Sequence, residues 1–112
     1  MTHAEYAMAL LLSASQQASN EWAIVQYFYA AVHAVNHQLY GGANVDWAQD
    51  HFKRELDMRG HRLLRTKFGA YRDLKRLSED ARYRPWLHPM AADKVGRSVS
   101  VAKDILRACG LT

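Results

Sequence analysis

The chain has 112 residues, of which 49% are hydrophobic and 23% charged, and its formal net charge is +4. Such a composition is typical of one soluble globular domain with one core, which we expect to span residues 1–112. The single cysteine, Cys109, excludes an internal disulfide, and the apolar run Ala7–Ala14 is too short to cross a bilayer.

Apolar residues recur at helical spacing, and no segment alternates apolar and polar residues with period two, so the sequence predicts an all-α fold. The first helix is predicted to begin at a capping box formed by Thr2 and Glu5. The second helix is predicted from about Glu21 to Tyr40, with Ser19 and Asn20 as its cap and its end at Gly41-Gly42. Its apolar residues form two adjacent rows, which indicates a central helix that is contacted on more than one side.

A third helix is predicted to begin near Asp46 or Asp50 and to fray around Gly60. A fourth is predicted over roughly Arg62–Tyr83, with a row of apolar residues facing inward. Gly69 weakens the middle of this fourth helix by about 1 kcal/mol relative to alanine.

Residues 84–89 hold both prolines and form the last predicted connector. Pro89 suits the first turn of the final helix, with His88 near its cap, and Gly110 suits the end of that helix. Cys109 follows the apolar face and is predicted to be a small core residue. Five helices with short connections predict a four- to five-helix up-down bundle.

The charges are divided unevenly along the chain. The first fifty residues carry four acids and no base, whereas residues 51–84 carry eleven bases and five acids. A basic strip of this kind commonly faces phosphates or an acidic partner. The residues of the strip that we predict to contact nucleic acid are Lys53, Arg59, Arg62, Arg65, Arg72, Arg76 and Arg84.

Two histidines on the central helix form the first candidate site. His33 and His37 are four residues apart and therefore lie on the same helix face, which is half of a metal site. The only acid on that helix, Glu21, lies more than three turns away, and metal sites need three or four ligands. A buried polar network or an interface patch is the alternative interpretation, and no metal or cofactor is predicted.

Arginine and histidine at short range form the second candidate. Arg54 precedes His61 with six residues between them, and Arg82 precedes His88 with five. An arginine that stabilises a phosphate and a histidine that moves a proton are the minimum that metal-free RNA cleavage requires. With ten arginines and six histidines in the chain, one or two such spacings are also expected by chance.

The order of these features resembles that of the HEPN superfamily (higher eukaryotes and prokaryotes nucleotide-binding domain), in particular its small bacterial stand-alone members. The resemblance rests on the aromatic helix from Trp22 to His33, on His51 after the next loop, and on the stretch from Tyr71 to Tyr83. It covers about residues 20–108. Its motifs are individually short, and their order along the chain is the main support.

The resemblance implies a helical bundle that forms a homodimer. Many members of the family are metal-free ribonucleases with an Arg, four to six residues, then His, and others only bind nucleotides or partners. By that pattern Arg82 or Arg54 would bind the scissile phosphate, and His88, His61 or His51 would act as acid or base. A small polar residue usually follows the arginine in the family, whereas Tyr83 and Glu55 stand there in this chain.

Three functions therefore stay open. The first is an RNA-processing or toxin ribonuclease, and the second is a non-catalytic module that binds a nucleotide, RNA or an acidic antitoxin through the basic strip. The third is an assembly protein whose aromatic residues make the dimer interface, with Trp22, Tyr27, Trp47 and Trp86 as anchors. In each case we expect a cytoplasmic protein that does not contact a membrane.

Overall fold

A computed structural model describes residues 1–41, 51–86 and 89–112. Its elements, in chain order, are α1 (His3–Ser15), α2 (Asn20–Tyr40), α3 (His51–Gly60), a 3-10 helix (Leu64–Lys67), α4 (Phe68–Tyr83) and α5 (Ala92–Ala108). The described residues contain no strand, which confirms the all-α prediction. The predicted starts of the third helix, at Asp46 or Asp50, lie outside these residues, and so does His88.

The first two helices begin where their capping residues predict. The Thr2 hydroxyl accepts a hydrogen bond from the Glu5 amide at 3.1 Å, and the Glu5 carboxylate accepts from the Thr2 amide at 3.1 Å. The Ser19 hydroxyl accepts from the Trp22 amide at 3.2 Å and caps α2. These side chains satisfy amide groups that have no partner within a helix, which confirms both predicted starts.

The central position predicted for the second helix is also confirmed, because α2 packs against α1, α4 and α5. Twelve of its residues are buried, including His33 and Asn36. The helix ends at Gly41, whose φ of 59° lies in the region that favours glycine. Cys109 is 5% exposed and packs in the main core, as predicted, and its burial raises the pKa of its thiol to about 11.

Two predicted helix starts are wrong. The segment from Arg62 to Tyr83 is not one helix, because a 3-10 helix occupies Leu64–Lys67 before α4 begins at Phe68. The last helix begins at Ala92 rather than at Pro89. The Asn20 side chain donates to the Met90 carbonyl at 2.9 Å, and Met90 is buried, so a tertiary contact holds the residues before Ala92 outside the helix.

No helix in the described ranges combines the length and the apolar character that crossing a membrane requires. The apolar row predicted for the fourth helix does face the core: Tyr71, Leu74 and Leu77 are buried. Their burial fixes the opposite side of α4 toward solvent, and that side carries Arg72, Arg76 and other charged residues.

Candidate functional site

A cavity of about 280 Å³ opens between α2, α3 and α4. It brings together two of the residues predicted for catalysis, His51 and Arg82, and we refer to it as the α2–α4 cavity. The residues that line it are Phe28, Tyr29, His51, Lys75, Ser78, Glu79, Arg82 and Tyr83. Cationic, acidic and aromatic side chains therefore meet in one depression beside the core.

The His51 ring is held on two sides. It stacks on Phe28 with 5.9 Å between ring centroids, and its Nδ1 lies 2.9 Å from Nη1 of Arg54. An arginine only donates hydrogen bonds, so Nδ1 of His51 accepts and the ring proton of neutral His51 lies on Nε2. Although the residue as a whole is exposed, desolvation of its ring lowers the pKa of His51, and the nearby Arg54 charge adds to this.

This tautomer determines what His51 can do. A neutral ring with its proton on Nε2 donates a hydrogen bond to an anion. To act as a base through Nε2, the ring would have to carry its proton on Nδ1, where it would meet the donor group of Arg54. The arrangement therefore favours a donor to an oxyanion over a general base.

Arg54 lies beneath the cavity and does not line it. It is 4% exposed, and its Nε donates to Oδ1 of Asn36 at 2.8 Å. A buried guanidinium that bridges Asn36 and His51 orients the histidine ring, and its burial keeps it from a ligand in solvent. Arg54 is thus placed as a positioning residue for His51, and this contact joins positions three apart on α3.

His61, the predicted partner of Arg54, makes different contacts. Its Nδ1 accepts hydrogen bonds from the amides of Leu63 and Leu64, at 3.1 and 3.2 Å. These bonds satisfy the amides at the start of the 3-10 helix. The first amides of a helix have no acceptor within the helix itself. The geometry assigns His61 a capping contact.

Replacing His61 with alanine is expected to lower the free energy of unfolding by about 1 kcal/mol, because two amides lose their acceptor. His61→Asn offers an amide oxygen in a similar place and is expected to lose less than half of that amount. Urea unfolding of the three proteins measures the difference. Equal stability of wild type and His61→Ala would contradict the capping assignment.

Arg82 is exposed on the last turn of α4 and reaches across to α2. Its Nη1 donates to the Tyr29 hydroxyl at 2.9 Å, and its guanidinium lies 5.2 Å from the centre of the Tyr83 ring. A guanidinium has five N–H donors, so the bond to Tyr29 orients the group and leaves donors for a ligand. Its predicted partner, His88, lies outside the described residues, and that pairing stays a prediction.

The basic strip forms a groove along α4 next to the α2–α4 cavity. This α4 groove has a volume of about 440 Å³ and is lined by Arg72, Lys75, Arg76, Glu79, Asp80 and Arg84. Lys75 and Glu79 line both depressions, so the groove and the cavity are adjacent. Four cations, interrupted by Glu79 and Asp80, therefore follow one another along this side of α4.

Some cations of the strip are paired with acids. Glu55 binds Lys75 at 2.6 Å and Arg72 at 3.4 Å, and Arg84 binds Asp80 at 3.3 Å. The side chains of Arg72 and Arg84 are about half exposed, and such pairs contribute about 0–1 kcal/mol each, so a phosphate can compete for these two cations. The Lys75–Glu55 pair is more buried, with side-chain exposures of 22% and 13%.

The other predicted contact residues are spread more widely. Lys53 binds Asp57 at 2.7 Å on α3, and Arg59 lies over the Phe68 ring at 5.9 Å. Arg62, Arg65 and Arg76 are exposed and form no ion pair with any described residue. Among the predicted cations, only Arg72, Arg76 and Arg84 line the α4 groove.

Lys75, Glu79 and Tyr29 belong to the site but were not predicted from the sequence. Lys75, Glu79 and Arg82 lie at positions i, i+4 and i+7 of α4 and so share one face, a spacing that is visible in the sequence. No comparable signal exists for Tyr29, because its bond to Arg82 joins residues 53 positions apart.

The two histidines proposed as half of a metal site have different surroundings. His33 is buried and its Nδ1 lies 3.0 Å from Nδ1 of His3, while the Tyr6 ring stacks on it at 5.1 Å. His37, one turn later, is half-buried. Within the described residues no three potential metal ligands of the His, Cys, Asp or Glu type lie together.

His33 is held in its neutral form. Burial, followed by the nearby His3 and Arg54, lowers the pKa of His33 to about 4. Two buried imidazoles this close share one hydrogen bond as donor and acceptor, and a second proton would place two cations side by side. The alternative interpretation of His33, a buried polar contact, describes this geometry.

Searches with protein-family models, curated proteins and solved structures gave no match to this chain.

Proposed function

We propose that this chain is an RNA-binding bundle of the HEPN type, in which the α2–α4 cavity holds a backbone phosphate. The observation that carries the proposal is the meeting of Arg82, Lys75 and His51 at one cavity, beside one acid, Glu79. Arginine and lysine are the residues that most often bind phosphate oxygens, and a neutral imidazole adds a further donor.

The α4 groove is better suited to binding several consecutive phosphates than to binding a single anion. It continues from the cavity through Lys75 and adds Arg72, Arg76 and Arg84 along the same helix. Tyr29 and Tyr83 stand at the cavity, where exposed bases of a single strand can stack on aromatic rings. Cations in a row with neighbouring aromatics are the features that recur in single-stranded nucleic acid binding.

The affinity for a short single-stranded RNA is expected to fall about 20- to 100-fold between 50 and 200 mM salt, as for roughly three to five phosphate contacts. The reason is that counterions leave the RNA when cations of α4 neutralise its phosphates. Fluorescence anisotropy at a series of salt concentrations measures the slope. An affinity that stays constant over this range would contradict binding through the α4 groove.

Ribonuclease activity is the second candidate, and the presence of Arg82 and His51 at one cavity favours it. The tautomer of His51 counts against it, since a ring that donates through Nε2 is not placed to accept the proton of a 2′-hydroxyl. We therefore place binding ahead of cleavage. The homodimer implied by the HEPN resemblance and an acidic antitoxin that binds the basic strip are the partners that belong to this proposal.

With EDTA present, the purified protein is expected to bind RNA and to leave it intact. The comparison protein carries His51→Ala, His61→Ala and His88→Ala together. Cleavage by the wild type that is absent from the triple variant would contradict a binding-only role and establish a metal-independent ribonuclease. Single reversions to histidine would then identify the residue responsible.

The assembly function proposed from aromatic residues has less support. Tyr27 is 4% exposed and belongs to the core, so it is not available as an interface anchor. Trp22 and Trp86 are 58% and 74% exposed, whereas Trp47 lies outside the described residues. A chain that stays monomeric at high concentration would rule out both the assembly function and the homodimer.

A further inference from the structure

A second cavity adjoins the α2–α4 cavity and shares Arg82 with it. It has a volume of about 330 Å³ and lies between the start of α2 and the end of α4. Its apolar wall includes Trp22, Val25 and Pro85, and its polar groups come from Ser19, Glu21 and Arg82. We refer to it as the Trp22 cavity. Its size is at the lower end of the range in which proteins hold small ligands, and suits one base.

The apolar wall offers a flat surface. Trp22 is 58% exposed even though it begins the central helix, so its indole ring is not used for packing the core. Aromatic rings next to cationic residues recur where single-stranded RNA bases stack, and the indole ring is the largest such surface. A base stacked on Trp22 would have its backbone near Arg82, which lines both cavities.

The polar side of the Trp22 cavity holds one acid, Glu21, together with Arg82 and Ser19. The Glu21 carboxylate accepts a hydrogen bond from the Ser19 hydroxyl at 3.3 Å through one oxygen. Its other oxygen makes no hydrogen bond with the described residues. The carboxylate is therefore oriented and keeps acceptor capacity for two adjacent donors on a ligand.

Guanine is the base that offers two such donors side by side. Its Watson–Crick edge presents N1–H and the N2 amino group, whereas adenine presents an acceptor, N1, beside its amino group. A carboxylate repels an acceptor such as N1 of adenine. A carboxylate at this position therefore attracts guanine and also disfavours adenine. Uracil presents a single ring N–H between two carbonyl acceptors, which a carboxylate also disfavours.

We infer that the Trp22 cavity selects a guanine of the bound RNA, with Glu21 reading its Watson–Crick edge and Trp22 stacking on its ring. This inference rests on the proposed function, because Arg82 holds the phosphate next to the selected base. It identifies the RNA as a single strand with an unpaired guanine. A guanine in a duplex has its Watson–Crick edge occupied and does not fit the contact.

The test compares two labelled RNA pentamers, UUGUU and UUAUU, by fluorescence anisotropy. Wild-type protein is expected to bind UUGUU at least about tenfold more tightly than UUAUU, as for one bidentate contact. Glu21→Gln is expected to reduce the preference to less than about threefold, because an amide offers one acceptor and one donor in place of two acceptors. Asp93→Asn removes the same charge from an exposed acid on α5 and is expected to keep the full preference.

The outcomes separate this inference from the proposed function. Equal affinity of the wild type for both pentamers would overturn guanine selection and leave RNA binding standing. A preference that survives in Glu21→Gln would overturn the role of Glu21. No binding of either pentamer at low salt would overturn the proposed function and the inference together.

Discussion

Lowering the pH from 7 to 5 is expected to reduce the free energy of unfolding by about 2 kcal/mol through His33, which contacts His3. The pKa of His33 is about 4 in the folded chain, against an ordinary value of 6.5. The folded state therefore binds fewer protons than the unfolded state in this window. Well above pH 6.5 both states carry neutral His33 and the effect is absent, and the loss of stability grows as the pH falls from about 6.5 toward 4.

Urea unfolding of the wild type and of His33→Gln at pH 7 and pH 5 measures this contribution. The variant has no group that titrates at position 33, so its stability is expected to change less between the two conditions. His37→Gln is the matched control, since it makes the same substitution one turn later at a half-buried site. An equal loss of stability in the wild type and in His33→Gln would contradict the account of the buried histidine pair.

Replacing Arg82 with glutamine is expected to weaken RNA binding about 10- to 100-fold, the loss of a charge-assisted hydrogen bond to phosphate. Arg82 is exposed and its contacts are to Tyr29 and the Tyr83 ring, so the fold is expected to tolerate the change. Anisotropy with a short single-stranded RNA at one fixed salt concentration gives the affinity.

Arg97→Gln is the control for Arg82→Gln. Arg97 is exposed on α5 and lines neither cavity nor the α4 groove, yet its replacement changes the net charge by the same amount. Its affinity for RNA is expected to stay within about threefold of the wild type, because distant charges act only through a screened field. Equal losses in the two variants would mean that net charge, and not the cavity, controls binding.

The sequence predicts the fold best where the causes are local. The capping box of Thr2, the Ser19 cap and the glycine at position 41 each act within a few residues, and each lies where it was predicted. The start of α5 could not be predicted in this way. It depends on the bond from Asn20 to the Met90 carbonyl, which joins residues 70 positions apart.

The same distinction between local and long-range contacts applies to the candidate site. The contact of His51 with Arg54 spans three residues on one helix, and the shared face of Lys75 and Arg82 spans seven. The bonds that orient these residues cross the fold instead, from Arg54 to Asn36 and from Arg82 to Tyr29. Spacing along the chain therefore indicates which residues belong to the site. It does not indicate which of them are buried and only position another residue, as Arg54 does.

The burial of Arg54 illustrates what spacing leaves out. With His61 it fits the arginine–histidine pattern as well as Arg82 with His88 does. The structure turns its guanidinium into the interior toward Asn36, and it gives His61 backbone amides as partners. Arg54 and His61 fit one motif in the sequence but contact different groups in the structure. The number of residues between them determines neither contact.

The central claim, that the α2–α4 cavity holds an RNA phosphate, is tested most directly by nuclear magnetic resonance of the arginine side chains. A short single-stranded RNA is added to protein labelled with ¹⁵N, and the Nε–H signals are followed. The signal of Arg82 is expected to shift early in the titration, while that of Arg97 stays in place. The claim would be contradicted if the two signals shifted equally little. It would also be contradicted if the signal of Arg97 shifted and that of Arg82 did not.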